Sequence, residues 1–212
     1  MKNDNLLNQI AAKGSDKEAI AERIADNPER IAEAIEGLKN KKAPVKFGCG
    51  KVLRILSERH PEALYPHINV FIKLLDSDNN IMKWEGIHVI GSLARVDKAK
   101  RIDAILPRYL KPIEGPVLIT AANVIGGAGR IAAAKPYLAE KIAAEILKVE
   151  HAEYATAECR NVALGQALDA FEIFFYKIKN KQPVIDLVTR QVDNTRNSTR
   201  KRAEKLLKKW QK

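Results

Sequence analysis

A short apolar ending recurs down the chain. Val89-Ile90-Gly91 returns as Val124-Ile125-Gly126 and again as Ala163-Leu164-Gly165, at offsets of 35 and 39 residues. Upstream, Lys46-Phe47 aligns with Lys83-Trp84 at an offset of 37, and the same shift lays Val52-Leu53 on Val89-Ile90 and Leu56 on Leu93. A period of this length marks a unit that buries its apolar face only by stacking on the next copy of itself, so the chain is expected to fold as an array.

Each copy reads as a pair of helices. Residues 3–13 and 15–39 form introductory helices, with a capping box at Ser15-Asp16-Lys17-Glu18 and a cap followed by proline at Asn27-Pro28. A helix then runs from 45 to 60 and is stopped by Pro61, and its partner over 61–75 carries Leu64, Ile68, Phe71, Ile72 and Leu75 on one face. The pattern repeats, beginning at Met82 with 97–110 as partner, as 117–133 with 136–149, and as 156–179 with 183–192, before a basic last helix over 199–210. With 6% aromatic residues and an abundance of alanine, leucine, isoleucine and lysine, the composition suits closely packed helices, and the fold class is all-α.

The turn Asp76-Ser77-Asp78-Asn79 and the small-plus-basic pairs Val45-Lys46, Met82-Lys83 and Thr199-Arg200 resemble the HEAT-repeat (armadillo-type) α-solenoid family from about residue 28 to the C-terminus. The resemblance implies a right-handed α-solenoid of stacked antiparallel helix pairs in a single domain, with roughly five repeats. Residues 1–40 would be N-terminal capping helices, 41–195 the repeats, and 196–212 a basic C-terminal capping helix. The third and fourth copies depart from the family pattern. They have Val117-Leu118 and Thr156-Ala157 at the pair, and so lack the basic residue on which an inter-repeat polar ladder usually rests.

In such arrays the helix carrying the pair lines the concave face. If Met82, Gly86, Val89, Ile90 and Leu93 face the core, then Trp84, His88, Gly91 and Arg95 point away from it. The equivalent rows are Phe47, Lys51, Arg54 and Glu58, then Ile119, Asn123 and Arg130, then Glu158, Gln166 and Asp169. The expected partner-binding groove is Phe47, Lys51, Trp84, His88, Arg95, Asn123, Arg130 and Gln166, where aromatic and cationic groups would hold a protein or peptide partner.

A mid-helix glycine costs about 1 kcal/mol against alanine. Three at matching positions therefore argue for close approach of helix backbones, the other reading being a groove floor kept shallow for a ligand. Gly127-Ala128-Gly129-Arg130-Ile131-Ala132 fits a loose dinucleotide fingerprint, but no second strand with an acidic end follows.

The formal charge of +11 is concentrated at the end: from Lys177 onward there are twelve Lys/Arg against three acids. The basic patch Arg196, Arg200, Lys201, Arg202, Lys205, Lys208 and Lys209 is either a solubilising cap or a nucleic-acid contact. His60, His67, His88 and His151 make no ligand cluster, so neither a metal site nor a cofactor is expected. No catalytic constellation is visible. The chain resembles the HEAT-like alkylpurine DNA glycosylases in length, helical repeats and basic character, and that resemblance would give Trp84 and Arg130 two of the parts around a damaged base; but His88 stands where a carboxylate would be needed, Asp169 is the only groove aspartate, and the motif is not met. Cys49 and Cys159 are expected as reduced thiols. The first residues hold no secretory apolar run and no segment is long enough to span a bilayer, so a cytoplasmic location without membrane contact is expected. The function expected is a non-catalytic scaffold binding a protein partner through its concave groove, with nucleic-acid binding through the basic C-terminal region as the alternative and an alkylpurine DNA glycosylase-like enzyme ranked behind it.

Overall fold

Side-chain caps and prolines decide where the helices begin and break. The computed structural model describes residues 5–210, and helices joined by turns make up all of its regular structure among those residues. Asp16 caps α2 (Lys17–Ile24), accepting the N–H groups of Glu18 and Ala19 at 2.9 and 3.0 Å. The cap is thus one residue later than the expected Ser15, whose hydroxyl donates back to the Ile10 carbonyl of α1 (Leu6–Ala11). The stretch 15–39 divides at the expected cap, Asn27, which starts α3 (Pro28–Gly37) by accepting the Arg30 N–H at 3.1 Å. Residues 3 and 4 of the first expected helix, and 211 and 212 of the expected terminal cap, lie outside the described residues.

The long helix α4 (Ala43–Arg59) follows, and then the helix expected over 61–75 breaks into α5 (Pro61–Leu64) and α6 (Ile68–Leu74). A 3-10 turn at Tyr65–His67 separates them, where Pro66 removes a backbone donor. Next come α7 (Asn80–Leu93), α8 (Arg101–Leu110), α9 (Leu118–Ala134), α10 (Ala139–Leu147), α11 (Ala157–Phe174), α12 (Gln182–Arg190) and α13 (Asn197–Trp210).

The chain divides into two compact units, one up to Ala99 and one from Lys100 onward. In the first, α4 and α7 lie side by side, α3 backs α4, α5 and α6 back α7, and α1 and α2 cover α4. In the second, α9, α11 and α13 form the corresponding row, with α8 behind α9, α10 behind α9 and α11, and α12 behind α13. Leu53, Leu56, Phe71, Val89 and Ile90 fill the first core, and Tyr109, Ile131, Leu168, Phe171 and Phe174 the second. Each such side chain contributes roughly 1.5–3 kcal/mol on burial.

Small residues set how closely the helices approach. A Cβ added at Gly86 would come within 2.9 Å of the Phe71 carbonyl oxygen, so only glycine lets α6 and α7 meet at their present distance. At Gly129 it would meet Ala170 of α11 at 3.2 Å.

The repeat period reappears in the polar contacts. In the first unit Arg59 donates to Glu22 (2.9 Å, 37 residues apart), Tyr65 donates to Asp97 (2.5 Å, 32 apart), and Arg95 donates to the Glu58 carbonyl, 37 apart. In the second, buried Lys135 donates to Asp103 (2.8 Å, 32 apart), Arg190 forks onto Glu150 (2.8 Å for each bond, 40 apart), and Arg202 donates to the Gly165 carbonyl (3.0 Å, 37 apart). The more exposed ion pairs, Arg59 with Glu22 and Arg190 with Glu150, stabilise by about 1 kcal/mol or less, so their main effect is to fix register. The ladder therefore runs through these residues instead of the pairs at 45–46 and 82–83. It extends to the copies where the pair is missing.

Candidate binding face

The groove residues expected from the sequence divide between the units. Phe47, Lys51, Trp84, His88 and Arg95 lie in the first, and Asn123, Arg130 and Gln166 in the second. In the first unit Met82, Gly86, Val89, Ile90 and Leu93 are buried as expected, and the opposite stripe of α7 carries Trp84 and His88, both half-buried. Gly91, expected on that outward stripe, is buried instead: at this point the helix surface turns towards its neighbours. On α4 the outward row is half-buried Phe47 and Arg54 with exposed Lys51 and Glu58. Arg95 is committed to the Glu58 carbonyl and so secures the end of α4.

One residue of this face escapes sequence reasoning. Glu85 lies over Gly50 of α4, where an added Cβ would stand 3.1 Å from the Glu85 Cγ. Its side chain is only 12% exposed, and Oε2 lies 3.7 Å from Arg54 Nε, too far for a hydrogen bond. Oε2 has no hydrogen-bond partner among the described residues. Burial raises the Glu85 pKa above the ordinary carboxylate value, against the opposing pull of Arg54. The available signal was its place one residue before Gly86, on the edge of the buried stripe.

In the second unit the outward stripe of α9 runs through Ile119, Asn123, Gly126 and Arg130, and that of α11 through Val162, Gln166, Asp169 and Ile173. Ile119 is 54% exposed and Ile173 53%. Arg130 is the one charged residue in the seventeen of α9. The three matched glycines do not share one environment. Gly165 is covered, with Thr199 Oγ1 and Arg202 Nη1 lying 3.0 and 3.1 Å from where its Cβ would be. At Gly126 an added Cβ would meet nothing within 4 Å, so close packing does not account for it.

The basic patch is largely matched within the fold. Arg196 pairs with Glu158, Arg202 with Asp169 at 2.6 Å, and Lys209 with Glu172 at 2.9 Å, while Lys205 stands 4.0 Å from the same Glu172. All three acids belong to α11. Arg200 donates to Asn197 at 3.0 Å, and Lys201 and Lys208 are exposed to solvent. Burial raises the pKa of Asp169 while Arg202 opposes the rise. The groove aspartate is thus tied to the last helix.

Both cysteines are free thiols, Cys49 buried and Cys159 half-buried. Among the described residues no cluster of three or more His, Cys, Asp or Glu is placed to hold a metal, and no helix is long and apolar enough to cross a membrane.

No protein-family model and no curated protein matches the sequence. Solved structures do. The designed armadillo repeat protein YIII(Dq)4CqI aligns at a TM-score of 0.58 with 13% identity, over 94% of this chain and 95% of that one. An engineered protein, Northeast Structural Genomics Consortium target OR329, aligns at a TM-score of 0.56 with 13% identity, over 96% of this chain and 86% of that one. At such identity the likeness speaks for the backbone alone, and by its backbone the chain is an all-α repeat solenoid of the armadillo/HEAT-like kind.

Proposed function

We propose that the protein is a non-catalytic scaffold that binds a protein partner through the outward stripes of its long helices. The observation that carries this reading is Gly126. A mid-helix glycine that costs about 1 kcal/mol, yet lets no other helix approach, is explained by a partner that comes down onto the helix there. Exposed Ile119 and Ile173 offer apolar contact, and Asn123 and Gln166 offer amides to a polypeptide backbone. The low charge of α9 suits a protein surface better than a phosphate backbone.

In the first unit Phe47, Lys51, Trp84 and His88 are the corresponding contacts, with the two aromatics as anchors. On this reading α1–α3 and α13 are end caps. Two free thiols suit work in a reducing cytoplasm.

The test is selection of peptides from a random library on the immobilised protein. Gly126→Arg places a long side chain on the open stripe without disturbing the core. It should weaken the selected peptides by roughly tenfold or more, as should Arg130→Glu on the same stripe, while Lys201→Glu leaves them unchanged. Peptides that bind all of these variants like the wild type would overturn the assignment.

A further inference from the structure

The pairing between α11 and α13 leaves one part of the positive charge unaccounted for. It lies where both helices end. From Ile173 to Ile185 the chain has Lys177, Lys179 and Lys181 and no acid, and from Lys205 to Trp210 it has Lys205, Lys208 and Lys209 and again no acid. Aromatic contacts bring the two segments together. The rings of Phe175 and Trp210 stack with centroids 3.7 Å apart and planes 4° from parallel, and Lys181 Nζ sits 5.8 Å over the Phe175 ring.

Tyr176 meets Phe175 edge-on at 5.5 Å and is itself 68% exposed, the most open large apolar side chain among the described residues. Nearby carboxylates are already engaged. Glu172 serves Lys209 and Lys205 together, and Glu140 accepts the backbone N–H groups of Lys179 and Asn180. Lys177, Lys179 and Lys208 keep their ammonium groups in solvent.

We propose that this edge, Tyr176 with Lys177, Lys179, Lys181 and Lys208 beside the Phe175–Trp210 stack, is a binding site for single-stranded nucleic acid. An exposed aromatic ring followed directly by solvent-facing Lys177 and Lys179, with Lys181 over the adjoining Phe175, supplies both things such a ligand needs: a face on which an unpaired base stacks, and cations for its phosphates. An acidic protein segment would use the lysines but has no need of the ring, and duplex nucleic acid keeps its bases stacked on one another. The site lies beyond the end of the α11 stripe, and it draws on different residues from the protein-binding reading.

The experiment is fluorescence anisotropy of a labelled twelve-residue oligothymidylate with the full chain, titrated at several salt concentrations. Three to four phosphate contacts predict affinity that falls by roughly 20- to 50-fold between 50 and 200 mM salt. Tyr176→Ala, at a solvent-facing position, should leave the thermal transition in place and weaken binding by roughly fivefold or more. Lys177→Glu with Lys179→Glu should abolish binding at 200 mM salt.

Oligothymidylate held no better than an abasic strand of equal length, or displaced equally by polyglutamate of equal charge, would overturn the assignment in favour of a general polyanion or acidic-protein surface. So would Tyr176→Ala binding like the wild type, or the absence of binding at 50 mM salt.

Discussion

Gly126→Ala should make the protein more stable, and the size of the gain can be worked out beforehand. The substitution removes the backbone penalty of a mid-helix glycine, about 0.8–1 kcal/mol, and adds a methyl group that touches nothing within 4 Å. For a chain of this size that corresponds to a midpoint about 2–4 °C higher. Gly86→Ala gains the same propensity but drives its methyl against Leu74 Cβ at 2.8 Å and the Phe71 carbonyl oxygen at 2.9 Å. Overpacking against groups so close to the backbone costs about 1–3 kcal/mol, so the net effect is a loss of about 1 kcal/mol. Gly129→Ala meets Ala170 at 3.2 Å and should lie between the two. Urea unfolding followed by far-ultraviolet circular dichroism gives the order directly. A Gly126→Ala protein no more stable than wild type, or a Gly86→Ala protein equally stabilised, would refute the account of why these glycines are present.

Three further outcomes can be checked. Burial closes off the Cys49 thiol and pushes its pKa up to about 11, so a thiol reagent at pH 8 should titrate only Cys159 in the native protein and both cysteines in denaturant. Glu85 has a folded-state pKa raised above its ordinary 4.5, so its stabilising contribution is fully present below that pH and is lost as pH rises through the folded value. Relative to wild type, Glu85→Gln should therefore gain stability from pH 4.5 upward and then level off; a wild type that is the more stable of the two at pH 7 would mean that the Arg54 contact outweighs burial. Arg202→Ala removes the pair with Asp169 and the bond to the Gly165 carbonyl, both partly exposed, at a cost of about 1–2 kcal/mol. Faster amide exchange should appear along α13, and equal protection in both proteins would count against it.

The array is legible in the sequence because burial imposes it on every copy. Val52-Leu53, Val89-Ile90 and Val124-Ile125 hold the same place in the alignment and are all fully buried. Cap positions are legible to within one residue, as Asp16 and Asn27 illustrate. The environments of the glycines are not legible. Gly126 and Gly165 align with each other, but what fills the space beside a glycine comes from the next helix, and Thr199 and Arg202 reach over Gly165 while no side chain reaches over Gly126. The pairing of the basic tail is not legible for a related reason. A linear count of charge ignores partners one repeat away, and Glu158 and Glu172 stand 38 and 37 residues before Arg196 and Lys209. Applying the repeat offset to the charges as well as to the apolar residues would have found these pairs. Glu85 is a harder case: a carboxylate at the margin of a buried stripe is drawn in only by how closely its helix lies on the neighbour, and that depends on Gly50.

Consider what the register bonds permit over evolutionary time. Those of Arg59, Arg95, Lys135, Arg190 and Arg202 each join residues between 32 and 40 positions apart. An unequal crossover that adds or deletes one whole block of about that length leaves most cations facing an acceptor of the same kind, whereas an insertion of two or three residues within a long helix rotates every contact beyond it out of line. A gene of this type can therefore change size cheaply only in whole-repeat steps, with the count of copies rather than the content of any one of them setting how long the array is.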